Sequence, residues 1–232
     1  MTLARHEFGD RAELAKALAA AVAADINADL AESGVAAIAV SGGSTPAKFF
    51  AALGKHKDVD WEKVYVTLVD ERWVDETSDR SNAQLVNEKM LQGPAAVAHF
   101  IPLYSGGEAP DAAAVARTNG LLATLPRRYS AVLLGMGNDG HTASFFPGGD
   151  NLAEALTGNG PAVAIRAPGA GEPRITQVLQ RLLETRALYL QIEGEEKAVT
   201  LAKAQDEGPV EDMPIRAILR QAVKPLEIYW AP

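Results

Sequence analysis

VAAIAVSGGSTPAKFFAAL, residues 35–53, is the stretch whose reading decides the fold. Val35 to Val40 is apolar throughout, and a short unbroken apolar run of this kind is a strand buried on both faces. Gly42 and Gly43 then permit a tight turn with close backbone approach. Thr45 stands where it can cap a helix, and Pro46 suits that helix's first position, so the spacing predicts a helix over Pro46 to Leu53.

The same alternation runs outward in both directions. Upstream, Leu14, Leu18, Val22, Ile26 and Leu30 recur every fourth residue, which predicts one long amphipathic helix ending near Ser33-Gly34. Downstream, strands are predicted at Val64 to Val69, Ser130 to Leu134, Ala162 to Ile165, Ala187 to Ile192 and Leu226 to Trp230. Helices are predicted at Ser81 to Leu91, Asp111 to Leu125, Ile175 to Leu183, Glu195 to Lys203 and Ile215 to Leu219. Strands that alternate with helices of this length pair in parallel through right-handed crossovers, so the fold class is α/β: a three-layer sandwich with a mostly parallel sheet. No linker or repeat interrupts the chain, and residues 1–232 read as a single domain.

Composition narrows the function. With 22 basic against 30 acidic residues the net charge is −8, which argues against nucleic acid as partner and requires a local site for any anionic ligand. The chain has no cysteine, which excludes disulfides, thiolate nucleophiles and cysteine metal sites. Its start, MTLARHEFGDRAEL, has no apolar signal core, and no apolar run is long enough to span a bilayer, so a cytoplasmic protein with no membrane partner is expected.

In a parallel sheet, ligands bind at the carboxyl ends of strands, and three strand ends are unusual. After the first predicted strand, Ser41, Gly42, Gly43, Ser44 and Thr45 read either as a cradle of amides and hydroxyls for a phosphate or as a capped turn that binds nothing. After Val64 to Val69 come Asp70, Glu71 and Arg72, read as a charged loop at the mouth of a site; Arg72 can hold an anionic oxygen and Asp70 a hydroxyl. After Ser130 to Leu134 comes GMGNDGHTASFFPGG, residues 135–149. Gly135, Gly137 and Gly140 match G-x-G-x-x-G, but the acidic residue that a dinucleotide site needs about 20 positions on is missing. The loop instead carries Asp139 two residues before His141, a carboxylate placed to orient a general base. His6, His56 and His99 are scattered, so no metal and no other cofactor is expected. Arg174, read as preceding a helix, and Lys197 in GEEKA are the cations that a phosphate cradle would need.

SGGSTP, VDERWV with Ser81-Asn82 following, GMGNDGHTASFFPG, and PRIT followed by GEEKA, in this order, resemble the 6-phosphogluconolactonase family of the pentose phosphate pathway. The blocks run from Ser41 to about Ala198. The wider superfamily includes glucosamine-6-phosphate isomerase/deaminase, and the resemblance implies a Rossmann-like sandwich similar to ribose-5-phosphate isomerase and the CoA transferases. Within that superfamily the deaminase pattern carries a glutamate just before the loop proline; Phe146 precedes Pro147 here, which favours lactone hydrolysis. Asp75 departs from the lactonase pattern, where a proline is expected.

The resemblance implies a small sugar-phosphate lactone as substrate and water as co-reactant. His141 would take a proton from water, and Asp139 would orient its ring. Loop amides near Gly42, Gly43 or Gly137, or Arg72, would stabilise the oxyanion. Ser41 to Thr45 with Arg174 and Lys197 would hold the phosphate. A monomer or small homo-oligomer is expected. The alternatives are an amino-sugar-phosphate isomerase/deaminase and, from another class, a non-catalytic sugar-phosphate-binding regulator. A nicotinamide oxidoreductase rests on the glycine match alone.

Overall fold

The computed structural model describes residues 3–232. In chain order the elements are β1 (Leu3–Glu7), α1 (Arg11–Ser33), β2 (Ala36–Val40), α2 (Ala47–Leu53), β3 (Val64–Leu68), β4 (Asp70–Arg72), α3 (Asn82–Lys89), β5 (His99–Ile101) and α4 (Ala112–Leu122). They continue with β6 (Tyr129–Leu134), α5 (Leu152–Thr157), β7 (Ala162–Ile165), β8 (Arg174–Gln177), α6 (Leu179–Leu183), β9 (Thr185–Glu193), α7 (Glu195–Gln205), α8 (Ile215–Arg220) and β10 (Leu226–Ala231).

The long helix α1 forms for the reasons its sequence states. Asp10 caps it, its carboxylate accepting from the amides of Ala12 and Glu13 at 2.7 and 2.9 Å. Gly34, at φ 76, ends it in the left-handed conformation that favours glycine. Leu14, Leu18, Val22 and Ile26 are fully buried with the alanines beside them, and Leu30 is partly buried.

Seven strands form a parallel sheet in the order β1-β10-β9-β6-β2-β3-β5, with helices on both sides. Every residue of β2 and of β6 is buried, as their unbroken apolar composition requires. Between these two strands the direction of growth reverses: β2, β3 and β5 step one way across the sheet, β6, β9 and β10 the other. A crevice opens at such a switch point because the two connections leave on diverging paths. Ser41 ties them together at their roots, its amide and hydroxyl both donating to the Leu133 carbonyl at 3.0 Å while its oxygen accepts from the Gly135 amide at 3.2 Å.

A second, antiparallel sheet, β4-β8-β7, corrects the sequence reading in two places. Asp70 to Arg72 is a strand and not a loop, with Asp70 opposite Thr176 and Arg72 opposite Arg174. The helix predicted over Ile175 to Leu183 is a strand followed by a five-residue helix, so Arg174 lies within β8 and does not precede a helix. β8 is buried at all four residues because β4 and β7 flank it on both edges. The strands β1 and β5 and the helix α5 were not anticipated; each is short or carries little periodic pattern.

Candidate active site

Every residue singled out for a role in binding or chemistry converges on the crevice between β2 and β6. Ser41 through Thr45, Asp70, Arg72, Gly137, His141, Arg174 and Lys197 line one chamber of about 290 Å³. Asp139 lines an adjoining chamber of about 400 Å³, which shares Arg72, His141 and Arg174 with the first.

The SGGST turn presents its backbone. Among the described residues, the amides of Gly42, Gly43, Ser44 and Thr45 find no acceptor within the protein. Gly43 has φ 90, which turns successive amides toward one side. Gly42 is required for a different reason: a Cβ there would lie 1.9 Å from Asn82 Oδ1. The helix itself begins at Ala47, and neither Thr45 nor Pro46 caps it with a side chain. The predicted cap at Thr45 is therefore absent, which leaves that residue's amide and hydroxyl at the chamber wall.

The β6 loop brings Asp139 and His141 together. His141 Nδ1 lies 2.6 Å from Asp139 Oδ1, and the same carboxylate oxygen accepts from the His141 amide at 3.1 Å. Burial pushes the Asp139 carboxyl up, but the hydrogen bonds and charge of His141 outweigh it and hold the group at about 2. A carboxylate on Nδ1 selects the tautomer with its proton there, leaving Nε2 as the basic nitrogen. Nε2 has no partner among the described residues. Gly137 serves this arrangement through its missing side chain. Its amide donates to the His141 carbonyl at 2.8 Å, so it is not available as an oxyanion donor, whereas a Cβ would lie 2.1 Å from His141 Nδ1.

Beyond His141 the chain turns sharply. Ala143 has φ 47, the one positive value at a non-glycine among the described residues, a strain of about 1 kcal/mol or more. The Thr142–Phe145 bridge and the Ser144 hydroxyl, which donates to Asp70 Oδ2 at 2.5 Å, hold it there. Phe146 then packs on His141, with ring centroids 4.5 Å apart, and lies 5.4 Å beneath the Arg174 guanidinium.

Asp70 is buried and committed: it takes the Ser144 hydroxyl and lies 4.0 Å from Arg174 Nη1. Its reading as a binder of substrate hydroxyl thus gives way, for Oδ2, to one in which it steadies Arg174 and the His141 loop. Burial pushes the Arg174 guanidinium down and Asp70 pulls it up. Lys197 is lowered by burial and raised by Glu196 and by Asp139. Glu71, fully buried, accepts from the amides of Arg72, Asn82 and Ala83 and from the Ser81 hydroxyl at 2.7–3.0 Å, which ties β4 to the start of α3. Asn82, so placed, donates to the Asp70 carbonyl at 2.9 Å and lines the chamber against Gly42. Sequence reading noted Asn82 only as part of a motif and gave no role to Ser144 or to Arg80, which lines the adjoining chamber and pairs with Glu172; no local pattern announces partners that lie 12 to 92 residues away.

The fold and the crevice together define an α/β protein with an anion-receptive chamber and a histidine–aspartate pair at the switch point of a parallel sheet. The chain belongs to the family of glucosamine-6-phosphate isomerases/6-phosphogluconolactonase, whose profile matches residues 9–230. It is 49% identical over 234 residues to the 6-phosphogluconolactonase of Rhizobium meliloti (strain 1021), covering 100% of both chains. The crystal structure of a 6-phosphogluconolactonase from Shewanella baltica OS155 superimposes with a TM-score of 0.97 at 37% identity, covering 100% of this chain and 98% of that one. A monomeric glucosamine-6-phosphate deaminase shares the fold at TM-score 0.78 and 18% identity, covering 100% of this chain and 97% of its own.

Proposed function

We propose that the protein hydrolyses 6-phospho-D-glucono-1,5-lactone to 6-phospho-D-gluconate, the lactonase step of the pentose phosphate pathway. Full-length relatives that carry this name support the reading. The observation that carries the mechanism is the His141–Asp139 pair at 2.6 Å, in a ring that lines both chambers and stands with the free amides of the SGGST turn.

His141 Nε2 takes a proton from water as its oxygen attacks the lactone carbonyl, and returns it to the ring oxygen as the acyl bond breaks. Asp139 holds the ring in its tautomer and stabilises the imidazolium formed in between. Arg72 and the Gly42 or Gly43 amide are the donors for the oxyanion, Gly137 being engaged elsewhere. The phosphate sits on the Ser44 and Thr45 amides and hydroxyls, with Lys197 and Arg174 supplying charge, and this anchors the reacting carbon beside His141. An aromatic ring, Phe146, occupies the space against His141 where the deaminase pattern has a carboxylate, which favours lactone opening over isomerisation.

The test is proton release on adding the phosphorylated lactone, with spontaneous opening subtracted. Glucono-1,5-lactone presents the same carbonyl without the phosphate. Losing two charge-assisted hydrogen bonds, roughly 3 kcal/mol, lowers kcat/KM by at least about 10²-fold. Equal efficiency on the two lactones removes the phosphate cradle from the reading, and ammonia release from glucosamine 6-phosphate would replace it with the deaminase.

A further inference from the structure

Arg72 and Arg174 stand directly opposite each other on β4 and β8. Like charges in that position repel, and among the described residues Asp70, 4.0 Å from Arg174 Nη1, is the one carboxylate within 4.0 Å of either. Both Nε atoms are buried without a partner, and Arg174 is only 7% exposed. Arg80 brings a third guanidinium to the adjoining chamber, the outer of the two as seen from the SGGST turn, which lines only the first; its Nε and Nη2 donate to Glu172 at 2.5 and 2.9 Å, and its Nη1 is free. Asp139 is the one acid lining that chamber, and His141 engages it.

We propose that the outer chamber is an anion subsite for the carboxylate that ring opening creates, with Arg80 as its specificity residue. The inference rests on the lactonase reading. Hydrolysis breaks the bond between C1 and O5; the water oxygen joins C1, one of its protons goes to O5 and the other is released. C1 thereby changes from a neutral ester to a carboxylate, and a compact ring becomes an open six-carbon chain with an anion at each end. With the phosphate on the SGGST turn and C1 beside His141, the new carboxylate arises where Arg72 and His141 line both chambers. The chain extends past them into the outer chamber, toward Arg80. Product is held at both ends and substrate at one, so the subsite makes the enzyme sensitive to its own product.

Competitive inhibition by 6-phosphogluconate and by glucitol 6-phosphate tests this. The two share chain and phosphate, but the second has a neutral alcohol at C1. The wild type should prefer the carboxylate by about 10-fold or more. Arg80→Gln should cut that preference by roughly 5-fold or more while leaving inhibition by glucitol 6-phosphate within about 2-fold. Arg80→Lys should keep most of it, and Glu172→Gln, which opens the same loop contact but retains the cation, should keep it in full. No preference in the wild type, an undiminished preference in Arg80→Gln, or equal weakening of both ligands overturns the subsite. If neither ligand inhibits, the phosphate cradle has failed and the subsite with it. Equal inhibition by both ligands leaves the cradle intact and removes the subsite alone.

Discussion

At His141 the proposed chemistry depends on one hydrogen bond and on one absent side chain. Asp139 sets the tautomer, and Gly137 leaves room for the ring. His141→Ala should lower kcat by about 10² to 10⁴-fold with an unchanged circular dichroism spectrum, the range for a general base. Asp139→Asn should lower it comparably, since the amide can hold Nδ1 unprotonated and leave the proton on Nε2. The pair also has a pH signature. The Asp139 carboxyl titrates at about 2 against an ordinary 3.8, so its bond contributes to stability in full above the higher value and is lost as pH falls through the lower. Acid unfolding curves of wild type and Asp139→Asn should differ at pH 5 and converge near pH 2. A gap that persists unchanged to the lowest pH would show that the carboxylate makes no such bond in solution.

Among elements, the β2 turn and the start of α3 approach closely enough to exclude a side chain. Glu71 gathers the first amides of α3, which presents Asn82 to Gly42 where no Cβ fits. Gly42→Ala must displace Asn82, whose amide is buried and bonded to Asp70, at a cost of about 1–3 kcal/mol, and it should raise KM by tilting the cradle. Asn82→Ala removes Oδ1 and Cγ, the two nearest atoms, and leaves Cβ at 2.8 Å, so the double variant should be more stable than the two single losses predict, by about 0.5–3 kcal/mol in urea unfolding. Strict additivity would mean that the two residues do not touch. The element misread from sequence is instructive for the same reason. Ile175, Val178, Leu179, Leu182 and Leu183 fall at helical spacing, yet Arg174–Gln177 is a strand, because β4 and β7 supply partners to both of its edges.

Over the whole molecule, the site draws on the β2 turn, β4, the β6 loop, β8 and α7, so ligand binding braces elements spread across the chain. A ligand that binds only the folded state stabilises it by mass action: at a hundred times its Kd, 6-phosphogluconate contributes about 2.7 kcal/mol and should raise Tm by roughly 5–10 °C. Gluconate at the same concentration should raise it far less, and an equal shift would show that the phosphate is not what anchors the ligand. The sequence by itself determined the parallel α/β frame, the long helix α1 and the three strand ends that meet at one crevice. These are legible because strand and helix periods, glycine turns and a histidine beside an aspartate are local patterns. Only the tertiary structure decided that Asp70 to Arg72 is a strand, that Gly137 provides space and not a donor, that Asn82 and Arg80 line the chambers, and that Ser144 holds Asp70. Each of those depends on a partner distant in the chain, and a residue's neighbours in space are set by which strands the sheet brings side by side.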